Sequence, residues 1–183
     1  MLHLIYEGEL LRKDGFIVKA ASSVTLITTE KHNIIVDTST NNKENIIKSK
    51  LKELNFEPKD IDVVINTHLH YDHIENNELF ENATWFASTK EPNFDSTEFK
   101  DYRFFKDDEI EIIETPGHTY GSISVIYKDY VVVGDAAPLK ENIIKKIPPR
   151  LHVDRELAMK SLEKIISLNK NIVTGHDGIY YIK

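Results

Sequence analysis

Alternation of apolar and polar positions dominates the first forty residues. Leu2, Leu4 and Tyr6 share one side of an extended chain, as do Phe16 and Val18, and then Val24, Leu26 and Thr28, while Ile34-Ile35-Val36 is a compact apolar run. A period of two is what a strand with one buried face requires. Gly8 and Gly15 punctuate the first hairpin and read as ordinary turn glycines, and Glu30-Lys31-His32-Asn33 supplies the last turn. These strands are expected to build one sheet. The period then changes. Between Asn42 and Leu54, residues Ile47, Leu51 and Leu54 recur at helical spacing with Ile46 beside them, predicting an amphipathic helix whose lysines form a solvated face. Pro58 and Asp60 break the chain before the apolar run Ile61 to Ile65, and strand, helix, strand is the unit of a layered α/β fold.

Beyond residue 73 the pattern predicts a short helix over Ile74 to Phe80 and a buried strand over Thr84 to Ala87. Ser88 to Tyr102 is the most polar and least periodic stretch and reads as a solvated loop in preference to a substrate lid. Phe104 to Glu114 reads as two short strands joined by Lys106-Asp107-Asp108-Glu109. A hairpin follows, Ile123 to Tyr127 and Tyr130 to Val133, turned at Lys128-Asp129. A helix over Leu139 to Lys146 is stopped by Pro148-Pro149, and Asp154 is placed to cap the next one, where Ala158, Leu162, Ile165 and Ile166 make an apolar face. A strand over Asn171 to Thr174 and the segment Ile179 to Ile182 finish the chain. There is no internal sequence repeat.

The chemistry is concentrated in Thr67-His68-Leu69-His70-Tyr71-Asp72-His73, directly after the strand that ends at Ile65. Alternation puts His68 and His70 on one side, with Asp72 and His73 turning to the other, which is the layout of two adjacent metal positions. Neutral imidazole and anionic carboxylate suit zinc, manganese or iron better than calcium. A lone histidine would be read as a surface residue, but three histidines and an aspartate within six residues make a chance surface loop a small minority.

The order His-x-His-x-Asp-His resembles the signature of the metallo-β-lactamase superfamily. That resemblance implies a four-layer αββα sandwich, an α/β fold, and three further ligands at strand ends. Thr115-Pro116-Gly117-His118, Gly134-Asp135 and Gly175-His176 stand in the required order, each after an apolar run. By resemblance, His68, His70 and His118 hold the first metal, Asp72, His73 and His176 the second, and Asp135 bridges them. Two divalent ions are implied, zinc first, with manganese or iron(II) next. They would share a bridging hydroxide that attacks the substrate, with Asp72 as the catalytic residue that orients it. Asp37-Thr38 matches a pair that supports the metal loops from behind, although Ser39 departs from the usual glycine, and Glu75 and Asn76 stand where relatives carry glycines. Gly117, Gly134, Gly175 and Gly121 flank ligands and are expected to allow sharp turns. His3, His32 and His152 fall outside every motif and read as surface or local structure. Tyr120 reads as packing at the edge of the site, and Tyr71 as pointing toward the core.

Composition narrows the reading. At 183 residues the chain is expected to be one domain, 1–183, with a sizeable core. It has no cysteine, which removes disulfides, thiolate metal sites and cysteine nucleophiles. β-Lactam-hydrolysing relatives need a cysteine or equivalent where Asp135 stands, so antibiotic hydrolysis is not expected. A net charge of −7 argues against a broad basic surface for nucleic acid. The N-terminus has no basic region leading into a long apolar core, and no window approaches a membrane span, so a soluble cytoplasmic protein is expected. The chain ends seven residues after His176, which is expected to exclude the helical domain of glyoxalase II relatives and the added domains of RNA-processing ones.

The leading expectation is a binuclear metal-dependent hydrolase of a small ester, thioester or lactone. A phosphodiesterase or ribonuclease of the same fold is second, and a mononuclear iron persulfide dioxygenase, using two histidines and the aspartate, comes from another class. His70 speaks against flavodiiron relatives, which carry glutamate there, and the intact ligand set against a binding protein without turnover. A small-molecule partner is favoured over nucleic acid, no membrane association is expected, and the sequence leaves oligomeric state open.

Overall fold

The computed structural model describes residues 1–182, in which the elements follow as β1 (Leu2–Tyr6), β2 (Glu9–Lys13), β3 (Phe16–Ala21), β4 (Val24–Thr28), β5 (Asn33–Val36), α1 (Glu44–Glu53), β6 (Val63–Ile65), α2 (Tyr71–Ile74), β7 (Thr84–Ala87), β8 (Phe99–Asp101), β9 (Ile110–Glu114), β10 (Ile123–Tyr127), β11 (Tyr130–Val132), α3 (Lys140–Lys145), α4 (Arg155–Ser167), β12 (Asn171–Val173) and β13 (Ile179–Tyr180). A six-stranded sheet runs β1-β4-β5-β6-β7-β8 and a five-stranded sheet β13-β12-β11-β10-β9. Strands β5 to β8 are parallel to one another, as are β11 and β12.

Both sheets are covered on both faces, which explains the unbroken apolar runs. In β5, Ile34 and Val36 face the other sheet, together with Val63 and Ile65 of β6, against Ile123, Val125, Val132 and Val173. Between them in sequence, Ile35 and Val64 face outward and pack under Ile47 and Leu51 of α1. The second sheet repeats the arrangement, with Val131 and Val133 turned out against Leu162 and Ile165 of α4. The result is the four-layer αββα sandwich. Asp154 caps α4 as expected, accepting from Leu157 N at 3.0 Å.

The structure corrects the sequence reading in several places. The first strands do not form one sheet: β2 and β3 pair only with each other as a separate hairpin. Ser88 to Tyr102 is not simply a solvated loop, because it closes into β8, which pairs parallel to β7 and buries Phe99. Phe104 lies in a turn of 3-10 helix, so Phe104 to Glu114 contributes one strand, not two. α3 falls within the expected Leu139 to Lys146, but a left-handed Lys146, φ 51°, ends it ahead of the proline pair.

Lys43 also departs from the solvated face assigned to its helix. It is buried at the head of α1, where Nζ lies 2.5 Å from Glu9 Oε1, and Lys19 reaches Glu9 Oε2 at 2.8 Å. This trio ties the β2–β3 hairpin to the sandwich. Burial opposes the charged form of Glu9, but Lys19, Lys43 and the Tyr6 hydroxyl outweigh it and hold the carboxyl at about 2 instead of 4.5. A depressed acid contributes stability above its unfolded pKa and loses it as pH falls through the folded one. Glu9→Gln is therefore expected to cost about 1–2 kcal/mol at neutral pH, allowing for the solvent-screened part of the carboxylate. In denaturant unfolding the gap from the parent should close as pH falls from about 4.5 to about 2. A gap independent of pH would contradict this assignment.

Candidate metal centre

The site forms where strands of both sheets end. After β6, Thr67 is pinned by Asp37, whose Oδ1 accepts from Thr67 N at 2.8 Å and Oδ2 from Thr67 Oγ1 at 2.7 Å. His68 lies in the bend that follows, and His70 is on extended backbone. The sequence reads the next residues as loop, but α2 starts at Tyr71, and one helical turn carries Asp72 and His73 round to a second direction. His73 Nδ1 donates back to Asp37 Oδ2 at 2.8 Å, so Asp37 braces both halves of the motif from behind.

The other side chains arrive from the second sheet. His118 follows β9, with Nδ1 donating to Leu151 O at 2.8 Å. The turn before it needs glycine: Gly117 has φ +132°, and a Cβ there would lie 2.2 Å from Ala158 N on α4. Asp135 follows β11 and His176 follows β12, with His176 Nδ1 donating to Ala21 O at 2.9 Å. Gly8 is more than the ordinary turn residue of the sequence reading, because at φ +84° a Cβ would stand 2.7 Å from His176 Cα.

Two groups of donor atoms result. His68 Nε2 and His118 Nε2 lie 3.0 and 2.9 Å from His70 Nδ1. Asp72, His73 and His176 form the other, with His176 Nε2 3.7 Å from Asp72 Oδ2. Asp135 stands between them: Oδ1 is 3.1 Å from His176 Nε2 and 3.5 Å from His73 Nε2, and Oδ2 is 3.5 Å from His118 Nε2.

Three observations show that these residues fit divalent cations. Nδ1 of His73, His118 and His176 each faces an acceptor, so that nitrogen carries the proton and Nε2 offers a lone pair to the centre. His73 Nε2 and Asp135 Oδ1 are buried with no hydrogen-bond partner. The imidazole nitrogens of His68, His70 and His118 converge to about 3 Å from one another, a spacing that suits a shared cation.

Electrostatics differ across the site. Burial, reinforced by neighbouring imidazoles, pushes His68 well down, and His70 down as well. Burial also opposes charge on His73 and His176, but Asp37 and Asp135 outweigh it for His73 and Asp135 does so for His176, raising both. Asp135 is held well below the carboxylate range, because His176 and His73 overcome its desolvation. A cation at this end competes with protons on His73 and His176.

Glu91 was missed in the sequence. It comes from the segment read as solvated yet is 5% exposed, with Oε2 accepting from Leu69 N at 3.0 Å and Oε1 from Thr119 Oγ1 at 2.5 Å. Leu69 separates His68 from His70, and Thr119 follows His118, so one carboxylate joins the two segments of the first group. Nothing local distinguishes Glu91 from the exposed acids around it.

Above the centre lies a cleft of about 340 Å³. His70, Asp72, His118, Asp135 and His176 line it at the centre, and the hairpin supplies Leu10, Arg12, Ile17 and Ala20. Tyr71 lines it too and is 62% exposed, which corrects the expectation that it points to the core. Tyr120 is exposed outside the cleft lining. His32 pairs with Asp62 and His152 with Pro149 O, both local contacts.

An αββα sandwich whose strand-end loops gather five histidines and two aspartates around one cleft defines a metal-dependent hydrolase. The chain belongs to the metallo-β-lactamase superfamily: the family model of that description matches residues 18–111 and 92–176. Over 181 residues the chain is 67% identical to a probable metallo-hydrolase of Methanocaldococcus jannaschii, covering 99% of this chain and 89% of that protein. Among solved structures it is similar to a mutant of Bacillus thuringiensis AiiA with N-decanoyl-L-homoserine bound at the active site. That match has a TM-score of 0.74 and 22% identity and covers 96% and 92% of the two chains. It is also similar to AidC, a dizinc quorum-quenching lactonase in complex with a product, with a TM-score of 0.74 and 18% identity over 93% of this chain and 78% of AidC. At these identities the two structures establish the shared fold.

Proposed function

We propose that this protein is a binuclear hydrolase of a small ester, thioester or lactone. The observation that carries the reading is the convergence of two donor groups on Asp135, whose two oxygens face different groups. His68, His70 and His118 would hold one cation, Asp72, His73 and His176 the other, with Asp135 shared between them. Such a pair of cations supplies Lewis acidity and a nucleophile from water near neutral pH.

The remaining work falls to the chain. Asp37 and the backbone acceptors keep the imidazoles of His73, His118 and His176 turned with the bare nitrogen inward. Asp72, at the cleft wall, would orient the attacking nucleophile. Leu10, Ile17, Pro138 and Leu151 give the cleft apolar surface beside the place a substrate carbonyl would occupy. The dizinc state of AidC supports zinc as the first choice, ahead of manganese and iron(II). The product held by AidC and the acyl-homoserine held by AiiA support a small carbonyl substrate over a polynucleotide. No helix among the described residues is long and apolar enough to cross a membrane, and a cytoplasmic location belongs to the same reading.

Protein purified without chelators or a metal-binding tag is expected to carry about two zinc or manganese ions per chain by mass spectrometry. It should hydrolyse members of a chromogenic ester and lactone panel faster than bis(4-nitrophenyl) phosphate. About one iron per chain, with oxygen uptake on glutathione persulfide, would replace this reading with the dioxygenase. Protein that neither retains nor takes up metal would overturn it.

A further inference from the structure

We infer that the substrate carries a fixed negative charge, a carboxylate or a phosphate, remote from the bond that is cleaved, and that Arg12 and Arg150 bind it. The inference rests on reading the cleft as the hydrolase active site.

Two of the chain's four arginines line the same cleft as His70, Asp72, His118 and His176. Arg12 projects from β2, and its Nε is buried with no hydrogen-bond partner. Arg150 follows the proline pair and brings Nη2 to the hairpin turn, 3.6 Å from where a Cβ on Gly15 would stand. Among the described residues neither is ion-paired, whereas Arg103 is paired with Asp101. Glu141, the acid that feels Arg12, is held by Lys145.

This arrangement is costly unless something binds. A guanidinium N–H removed from water with no acceptor is left without compensation for its lost hydration. Positive side chains around a pocket whose donors suit two cations add repulsion. The chain carries net charge −7, so nothing in its overall balance demands cations at this place. An anionic ligand group resolves both costs, and the planar fork of arginine matches carboxylate or phosphate oxygens in a way lysine does not. The cleft that these arginines share with the metal centre is also lined by the apolar side chains of Leu10, Ile17 and Leu151. The ligand is thus a carbonyl compound with a short apolar body and an anionic end.

Calorimetric titration of the metal-loaded protein with butyrate, glutarate and 4-phosphonobutyrate tests this directly. Each offers one carboxylate to the metals, and only the last two offer a second anion. At least one of the two should bind about tenfold or more tighter than butyrate, equivalent to about 1.4 kcal/mol. The tighter of them identifies the anion as carboxylate or phosphate. Arg12→Gln and Arg150→Gln should each remove that advantage. Arg150 is exposed, so its variant reports on binding even if replacing the half-buried Arg12 disturbs the fold. Equal binding of all three acids, or an advantage that survives in both variants, would overturn the proposal.

Kinetics separate this inference from the reading beneath it. The mono-4-nitrophenyl ester of glutarate should outperform 4-nitrophenyl butyrate through KM, and the arginine variants should lose that preference in KM more than in kcat. Equal KM values would reject the anion site while leaving the hydrolase intact. If neither ester is cleaved but the diacid still binds tighter, the anion site stands and the hydrolase reading fails.

Discussion

Replacing Asp135 with alanine is expected to lower kcat/KM for any accepted substrate by about three factors of ten or more, with the fold intact. Each factor of ten is about 1.4 kcal/mol of transition-state stabilisation, and losing the link between two catalytic cations removes several of these. The proposed link falls to Asp135 because its Oδ1 approaches His73 and His176 while its Oδ2 approaches His118. Asp135 also joins Asp37 in raising His73 and is the main charge that raises His176, so its loss withdraws much of the counter-charge from the second group. The fold should survive because Asp135 sits beyond the end of β11, outside the three large apolar clusters that join the layers. Circular dichroism, metal content and kinetics on the variant check all three statements. Full activity would defeat the bridging assignment, and an unfolded variant would show that the aspartate is structural.

Glu91→Ala is expected to act on the first donor group without touching it. The substitution orphans the buried Leu69 N, at about 1–3 kcal/mol for a group left unsatisfied, and leaves the Thr119 hydroxyl with Ser122 Oγ as its partner. It also frees the segment carrying His68 and His70 from the one carrying His118. Loss of supporting interactions of this kind costs about 10–100-fold in metal affinity. A cobalt titration followed by its visible spectrum should therefore show one weakened site and one little changed. Glu91→Gln keeps an acceptor for one partner and should recover most of the stability. If both sites weaken equally, or neither does, Glu91 is not a positioning residue for the first group.

The layered fold was readable because its causes are local. Alternation along β1 and β4, unbroken apolar runs in β5, β6 and β11, and helical spacing in α1 and α4 each report which faces are covered. His68, His70, Asp72 and His73 were legible as a metal motif because they are neighbours in the chain. His118, Asp135 and His176 are far from them in sequence, and only the resemblance joined them before the structure placed them within one centre.

What remained hidden depends on contacts across long sequence separations. The spacing of Phe16 and Val18 in β3 suggests a strand but not which strand will pair with it, so the sequence could not tell another sheet neighbour from a hairpin that leaves the sandwich and walls a cleft. An acid in a polar stretch looks solvated until the fold delivers two donors to it, as Leu69 and Thr119 are delivered to Glu91. The same holds for Lys43, buried only because Glu9 arrives from β2, and for Arg12, which becomes part of a cleft only when the hairpin folds over the metal centre. Local periodicity records whether a residue's side of the chain is covered; the partner that satisfies a charge or builds a pocket wall is chosen by chain closure over many tens of residues, and that exists only in the folded protein.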